Sequence, residues 1–327
     1  MDKFGDTRIK FVSRDLFNDT SFLQDGSDVS AEKFKIPCGK CIGCRLEYSK
    51  NWAVRCMLEA KLHDHNWFLT LTYDDDHVPV VLSDVVDETT GEVFENDCFS
   101  YCLRKKHISD FLKRLRSYFN YHFNVTDIRF FACGEYGDIT FRPHYHMILF
   151  GPDIPDLEFY KFQNGNSYFT SRIISELWSH GFVIIGDVSF QSCSYVARYC
   201  TKKTKIVDTS FYASHGIEPE FTLMSRRPGI ARSYYDENSG RIYSADNLIV
   251  VGSNGKPLVV KPPRYFDKLF GVDDPYKFDL VKRVRVENSR QISRSVLSHT
   301  SVSADEYLAV QEQNKLAIIA SLKRGAI

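Results

Sequence analysis

The sequence predicts an α+β fold with an antiparallel central sheet, built from a split βαββαβ unit of the ferredoxin-like type. Two observations carry this prediction. From Trp67 to Lys203, apolar patterns follow one another in the order strand, helix, strand, strand, helix, strand, helix. The two middle strands are joined by a short polar link with glycine, which is typical of a hairpin and therefore of antiparallel pairing.

Each element of this unit is predicted from its apolar pattern. Alternating or continuous runs of aromatic and β-branched residues indicate the strands, and apolar residues at helical spacing indicate the helices. The predicted strands cover residues 67–76, 127–137, 142–151 and 182–189, and the predicted helices cover 103–122, 170–181 and 194–203. The acidic stretch 74–97 is expected to be an excursion on the surface.

The chain is expected to contain three segments. Residues 1–60 form an N-terminal segment with a cysteine cluster and the start of a helix over 46–65. Residues 61–205 form the α+β core. Residues 206–327 form a C-terminal extension, in which the pattern weakens and whose role the sequence does not indicate, although a last helix is predicted over 304–324.

Composition excludes several classes of protein. The 327 residues carry 42 Lys and Arg and 42 Asp and Glu, which argues against a protein that coats nucleic acid without specificity. The charged N-terminus does not resemble a signal peptide, and no apolar run approaches the ~18 residues of a membrane-spanning helix. With nine cysteines and no secretion signal, we expect reduced thiols, a cytoplasmic location and no membrane partner.

The strand RPHYHMILFG contains two histidines that point to the same face of a sheet. Side chains alternate along a strand, so His144 and His146 share one face while Tyr145 points to the other. Two neighbouring imidazoles can bind one metal ion. The alternative interpretation is a pair of half-buried histidines on an ordinary sheet face.

A carboxylate in the preceding strand extends this pattern. If the two strands form a hairpin, Glu135 in CGEYG comes near both histidines. The mixed nitrogen and oxygen ligand set suits Mg²⁺ or Mn²⁺, with positions left open for water and phosphate. The alternative interpretation of Glu135 is an exposed loop carboxylate.

The helix SYVARYCTKK contains a candidate nucleophile. Tyr195 and Tyr199 are four residues apart and therefore share one face of a helix. Arg198, Lys202 and Lys203 lie beside them, and nearby cations make a phenol more acidic and more nucleophilic. The alternative interpretation is an amphipathic helix whose tyrosines are half-buried.

The spacing C-x₂-C-x₂-C of the cysteine cluster is typical of zinc or iron–sulfur sites. The cluster consists of Cys38, Cys41 and Cys44. Candidates for the fourth ligand are Cys56, His63 and His65. The alternative interpretation is three free thiols in a glycine-rich loop.

Taken in this order, these motifs resemble those of the HUH endonucleases, the rolling-circle replication initiators and their relatives. The resemblance rests on Arg142-Pro143-His144-Tyr145-His146, the upstream Glu135 and the Tyr-x-x-Lys pattern from Tyr199 to Lys202. PCGKCIGCRLEYSKNWAVRCMLEA, LTLTYDDDHVP and FTLMSRRPGI further resemble the replication-initiation proteins of gokushovirus-type microviruses, which are small circular single-stranded DNA phages. The resemblance covers about residues 36 to 235.

The resemblance implies a protein that nicks one strand of the viral replicative form at its origin. A tyrosine would hold the 5′ phosphate, the freed 3′ hydroxyl would prime synthesis by the helicase and polymerase of the bacterial host, and the displaced strand would be rejoined. His144, His146 and Glu135 would bind the metal. Tyr199 would be the primary nucleophile and Tyr195 its partner, although their order is open. The cations expected to contact phosphate are Lys202, Arg198, Lys203 and Arg142.

Three other functions remain open at this point. They are a nonenzymatic zinc-containing protein that binds single-stranded nucleic acid, a metallohydrolase and an HUH transposase. The nuclease interpretation requires that the tyrosine helix lie beside the histidine strand, and a binding module has no such requirement.

Overall fold

An antiparallel sheet with helices packed on both faces forms the centre of the fold. The computed structural model describes Gly39 and residues 41–86, 89–90, 92–202, 209–252 and 255–321. The helices are α1 (Ile42–Ala60), α2 (Lys105–Phe123), α3 (Arg172–Trp178), α4 (Phe190–Lys202), α5 (Thr209–Ser214), α6 (Arg232–Ala245), α7 (Arg264–Asp273), α8 (Pro275–Ser298) and α9 (Ala304–Ser321). The strands are β1 (Asn66–Thr72), β2 (Val80–Val86), β3 (Val93–Tyr101), β4 (Arg129–Tyr136), β5 (Pro143–Phe150), β6 (Glu158–Gln163), β7 (Asn166–Thr170), β8 (Val183–Asp187), β9 (Phe221–Met224), β10 (Leu248–Val251) and β11 (Pro257–Val260).

The main sheet has seven strands in the order β6-β7-β8-β1-β5-β4-β9. Every neighbouring pair in it is antiparallel. Strands β2 and β3 form a separate hairpin, as do β10 and β11. This confirms the predicted α+β class with a large antiparallel sheet.

Helices α2 and α3 cover one face of the sheet. The apolar stripe of α2 is buried, as expected for residues spaced three and four apart. It consists of Ile108, Phe111, Leu112, Leu115 and Phe119. On α3, Trp178 is buried and its Nε1 donates a hydrogen bond to Thr72 O at 2.8 Å, which fixes the helix to the end of β1.

Helices α1 and α4 cover the other face. Ala53 and Cys56 of α1 and Val196 of α4 pack against buried aromatic and aliphatic side chains of β1, β4 and β5. The opposite side of α1 is buried as well, because Val54 and Leu58 pack against α6, α7 and the β10–β11 hairpin. A helix with two buried sides needs apolar residues around most of its circumference, and α1 has them.

Two regions differ from the sequence-based expectation. Residues 80–86 and 93–101 form a hairpin where an acidic surface excursion was expected, because a run of β-branched residues favours strands even among acidic neighbours. The chain beyond residue 208 contains further helices and strands, and β9 extends the main sheet next to β4. Helices α1 and α4 also begin four residues earlier than expected. None of the described helices is long and apolar enough to cross a membrane.

A buried ion pair connects the first helix to the sheet. Arg129 Nε of β4 donates a hydrogen bond to Glu59 Oε1 of α1, and both side chains are buried. Glu59 also accepts a hydrogen bond from Ala231 N, and Arg129 donates one to Pro228 O at 2.8 Å. Burial alone would raise the pKa of Glu59, but His63, the Ala231 amide and Arg129 outweigh it and hold the pKa below its usual value. The carboxylate is therefore charged in the folded protein.

Replacing Glu59 by glutamine leaves Arg129 as a buried, unpaired cation. We expect Glu59→Gln to lower the free energy of unfolding by about 3–5 kcal/mol. Urea denaturation followed by circular dichroism measures this loss. As a matched control, Glu176→Gln removes the partner of Arg172 in an exposed pair, and its midpoint should remain near that of wild type. Equal midpoints for Glu59→Gln and wild type would show that the buried pair does not hold α1 on the sheet.

Candidate metal centre and tyrosine helix

Three potential metal ligands meet where β4 and β5 pair. The register places Glu135 opposite His144 and Cys133 opposite His146, so both imidazoles lie on the same face as the carboxylate. Their ligand atoms all lie within 4.8 Å of one another. Glu135 Oε1 is 3.2 Å from His144 Nε2 and 2.8 Å from His146 Nε2. The structure therefore brings together the three residues that the sequence predicted as metal ligands.

The protonation of the three groups follows from burial and mutual contact. Burial would raise the pKa of Glu135, but the two imidazoles outweigh it and hold that pKa below its usual value. Burial would lower the pKa of His144, yet the neighbouring Glu135 raises it overall. At the fully buried His146 the cost of burial prevails, and the pKa is lowered. The site therefore combines an ionised carboxylate with a neutral His146.

Hydrogen bonds on the far side of each ring orient the imidazoles. His144 Nδ1 lies 3.2 Å from Arg142 O, and because a carbonyl only accepts, Nδ1 carries a proton. Its Nε2 is then the atom that faces Glu135. His146 Nδ1 lies 3.1 Å from Thr70 Oγ1 on β1. Partners of this kind fix the ring orientation of metal-binding histidines in proteins.

The three residues fit a divalent cation. Within the described part of the chain, Glu135 Oε1 is buried and receives no well-aligned hydrogen bond, although the imidazole nitrogens are close. A buried carboxylate oxygen without such a bond is costly unless a charge compensates it. The donor set of one carboxylate oxygen and two imidazole nitrogens matches that of several protein sites for divalent metals.

The tyrosine helix lies beside this centre. The ring of Tyr195 on α4 contacts the ring of His146 edge-on, with centroids 5.0 Å apart. Tyr195 also contacts Phe68, with centroids 6.3 Å apart, and Arg198 Cζ lies 5.9 Å from the centre of the Tyr195 ring. The expected adjacency of the tyrosine helix and the histidine strand is therefore found.

Other predicted residues of this helix are only partly covered by the structure. Tyr199 and Lys202 belong to α4, one turn and nearly two turns beyond Tyr195, and their side chains lie outside the described residues. Lys203 lies wholly outside them. Their proposed roles accordingly rest on their positions along the helix and on the sequence motif.

Arg142, predicted to bind DNA, lies close to the centre but has protein partners. Its Nη1 is 2.6 Å from Asp75 Oδ1, and its Nη2 donates a hydrogen bond to Tyr73 O at 3.0 Å. The ion pair is exposed on the side of Asp75, where water and salt screen it strongly. A DNA phosphate would have to compete with Asp75 for this guanidinium.

The structure separates the cysteine cluster from its candidate fourth ligands. Cys38 lies outside the described residues, and Cys41 and Cys44 lie at the start of α1. Cys56 lies on the same unbroken helix, so about 18 Å of helix separate it from Cys44 at 1.5 Å per residue. A metal ion held by Cys44 therefore does not reach Cys56 in this fold.

The two candidate histidines follow the far end of α1 and have other neighbours. His63 Nε2 is 3.5 Å from Glu59 Oε1, and His65 Nδ1 is 3.6 Å from Asp153 Oδ1. Both lie farther along the chain from Cys44 than Cys56 does. A fourth ligand for the cysteine cluster has to come from elsewhere.

Sequence reasoning did not single out Thr70 and Phe68 as parts of the site. Phe68 stacks on His146 with ring centroids 5.5 Å apart, and Thr70 lies directly opposite His146 across the sheet. Period-two alternation places both on one face of β1. The missing information was the pairing register of β1 with β5, which a single sequence does not specify when the two strands are distant along the chain.

The fold and the site define an α+β protein with a candidate metal centre of two histidines and one carboxylate beside a helix that carries tyrosines. Comparison with known families agrees with this description. The family model for the replication-associated protein ORF2 matches residues 66–204. This range includes β1, β4, β5 and α4, which together form the site.

Three relatives are replication-associated proteins of phages or viruses. The chain is 36% identical to replication-associated protein ORF2 of Spiroplasma virus 4 over 287 residues, covering 86% of this chain and 82% of the relative. It is 30% identical to replication-associated protein VP4 of Bdellovibrio phage phiMH2K over 249 residues, covering 75% and 70%. It is 37% identical to replication-associated protein ORF4 of Chlamydia phage 1 over 190 residues, covering 56% and 42%. No solved structure matches the chain.

The chain belongs to the family of the replication-associated protein ORF2. This confirms the resemblance to microvirus replication-initiation proteins that the motifs indicated.

Removing the hydroxyl of Thr70 tests whether it orients His146. We expect Thr70→Val to weaken Mn²⁺ binding by about 10- to 100-fold, the usual effect of losing a partner of a metal ligand. Isothermal titration calorimetry with Mn²⁺ measures the affinity. Thr72→Val is the matched control, because Thr72 lies on the same face but its hydroxyl donates to Phe182 O. Similar Mn²⁺ affinities for Thr70→Val and Thr72→Val would contradict the orienting role.

Proposed function

We propose that this protein initiates rolling-circle replication by nicking one strand of circular viral DNA at its origin and by forming a 5′-phosphotyrosine link. The observation that carries the proposal is the contact between Tyr195 of α4 and His146 of the candidate metal centre. A helix bearing two tyrosines beside three metal ligands suits transfer of a DNA phosphate. The family supports a role in replication.

Glu135, His144 and His146 would hold Mg²⁺ or Mn²⁺. When bound, such an ion polarises the phosphate under attack and offsets the charge that develops on its oxygens. The protein's own contribution is to fix the ligands, through the strand pairing of β4 and β5 and through the contacts of Thr70 and Arg142 with the imidazoles.

In the proposed reaction a tyrosine oxygen attacks phosphorus and loses its proton to solvent. The bond from phosphorus to the 3′ oxygen breaks, and that oxygen takes up a proton and leaves as a 3′ hydroxyl. Tyr199 is proposed as the primary nucleophile because it begins the Tyr-x-x-Lys motif, with Tyr195 as its partner. A spacing of four residues places both on one side of α4, which supports an alternating use of the two.

Neighbouring cations are proposed to stabilise the bound phosphates. Lys202, Arg198 and Lys203 follow the tyrosines on or after α4, and Arg142 lies before the histidines. The 3′ hydroxyl would serve host polymerase, with host helicase opening the duplex, in the cytoplasm of a bacterial cell. The second tyrosine would allow the displaced strand to be cut and rejoined.

We also propose a division of the chain around this site. Residues 61–205 would be the endonuclease core, in which β1, α2, β4, β5, α3 and β8 form the ferredoxin-like unit. Support comes from the order β8-β1-β5-β4 within the sheet. Residues 1–60 would contribute the cysteine cluster, with Zn²⁺ held by Cys38, Cys41 and Cys44, and 206–327 a C-terminal extension.

Covalent capture tests the proposed reaction. The full chain is mixed with labelled single-stranded origin DNA and Mn²⁺, boiled in detergent and separated on a denaturing gel. We expect label to remain on wild-type protein and to be lost in His146→Ala and in the double variant Tyr195→Phe/Tyr199→Phe. The single tyrosine variants then identify which residue attacks first.

Exposed residues on α2 provide the matched controls for this assay. Tyr121 is largely exposed and His122 lies next to it, on the helix that covers the other face of the sheet. Tyr121→Phe and His122→Ala should form the adduct as wild type does. An adduct that persists in the double tyrosine variant, or DNA binding without any adduct across several metals, would reject the reaction and favour a nonenzymatic binding protein.

A further inference from the structure

The face of the sheet that carries His144 and His146 continues beyond the candidate metal centre onto strands β8 and β7. Thr72 lies opposite His144, and its N and Oγ1 both donate to Phe182 O at 3.0 Å. Phe182 thus continues the same row of residues across the sheet. On β7, Tyr168 lies opposite Gly186, which in turn lies opposite Phe68 of the site. Residues opposed in this way share a face.

A bulge in β6 adds another aromatic ring to this face. The register of β6 with β7 shifts between Phe159 and Lys161, so Tyr160 is the extra residue. Bulges commonly redirect a side chain, and here the Tyr160 ring contacts Phe182 edge-on with centroids 5.5 Å apart. Lys161 lies opposite Tyr168, and its Nζ is 5.6 Å from the centres of both tyrosine rings.

These residues form what we call the aromatic track: Phe182, Tyr160, Tyr168 and Lys161. Phe182 is 44% exposed and Tyr160 is 49% exposed. Exposed aromatic rings with a cation beside them present flat apolar surfaces for stacking and a positive charge for phosphate. That combination matches an unpaired strand of DNA, whose bases are free to stack.

We propose that the aromatic track binds unpaired DNA next to the nick site and guides the strand to the candidate metal centre. This inference rests on the proposed function and deepens it. Neighbouring strands are ~4.8 Å apart, so Phe182 lies about 10 Å from the His144 strand and Tyr160 lies roughly 19 Å from it. This reach corresponds to a few nucleotides of an extended strand that crosses β1, β8, β7 and β6.

The same hairpin also exposes an aromatic ring on the other face of the sheet. Phe162 is 67% exposed and lies opposite Ser167, one position beyond Lys161 along β6, and therefore points away from the histidine face. If the track acts through its continuity with the metal centre, only the histidine face should matter for DNA. Phe162 is therefore the matched control for Tyr160.

Fluorescence anisotropy of the full chain with a labelled single strand of about 12 nucleotides tests the inference. EDTA is present so that binding is measured without cleavage. We expect Tyr160→Ala and Phe182→Ala each to weaken binding by roughly 5- to 150-fold, as loss of one stacked base does. Phe162→Ala and Tyr160→Phe should bind as wild type does. Lys161→Ala should lower the slope of log Kd against log salt by about 0.7.

A second substitution separates stacking from folding. Phe182→Leu keeps apolar bulk without a ring, so it should unfold at the wild-type temperature and yet lose affinity. Wild-type affinity in Tyr160→Ala and Phe182→Ala, or an equal loss in Phe162→Ala, would overturn the track. A change in self-association in place of DNA affinity, seen by sedimentation, would assign the face to a second copy and overturn it as well.

Failure of the track and failure of the proposed nicking are distinguishable. If wild type forms the covalent adduct and the alanine variants bind and nick as it does, the track is wrong and the nuclease stands. If wild type forms no adduct but its binding depends on Tyr160 and Phe182, the track stands and the nuclease is wrong.

Discussion

The pairing register of β1, β5 and β4 is the constraint on which the site depends. It places Thr72, His144 and Glu135 in one row across the sheet, and Thr70, His146 and Cys133 in the next. A slip of one residue between β4 and β5 would turn Glu135 to the opposite face from the histidines. The register is enforced by the buried residues between the ligands, because Tyr145 and Met147 fill the core under α2 and α3. Packing on one face therefore sets the chemistry on the other.

The tyrosine helix is positioned by the same sheet through the opposite layer. Cys193, Val196 and Ala197 are the buried positions of α4, and they pack on β4 and β5 together with α1. With those positions directed inward, Tyr195 lies at the edge of the packed surface, where it contacts His146. Helix α1 is itself held by the buried pair of Glu59 and Arg129 and by the C-terminal elements. Residues far from the site along the chain thus determine where the tyrosines lie.

Much of the site could be predicted from the sequence because its signals are local. The alternation in RPHYHMILFG places both histidines on one face, and the short link to CGEYG predicts the hairpin that brings Glu135 to them. Thr70 was not predicted as a partner of His146, because β1 and β5 are 76 residues apart at that contact and their register is a property of the whole core. The same limit explains why β9 was missed, since a four-residue strand has almost no periodicity of its own.

Charge patterns were the least reliable guide. The basic residues of α8 suggest contacts with phosphate when the sequence is taken alone, yet Arg285 forms hydrogen-bonded ion pairs with Asp246 and Asp267. The partners come from α7 and from the end of α6, which no local pattern reveals. The cysteine spacing likewise suggested Cys56 as a ligand, and the continuity of α1 places it too far from Cys44.

Pulsed electron paramagnetic resonance of the Mn²⁺-loaded protein tests the central claim most directly, because it detects nitrogen nuclei bound to the metal. If Glu135, His144 and His146 form the centre, the spectrum shows two coordinated imidazole nitrogens, His146→Ala leaves one, and the control His122→Ala keeps both. A spectrum without imidazole nitrogen, or one that His146→Ala does not change, would contradict a metal centre at this pair of strands and the chemistry built on it.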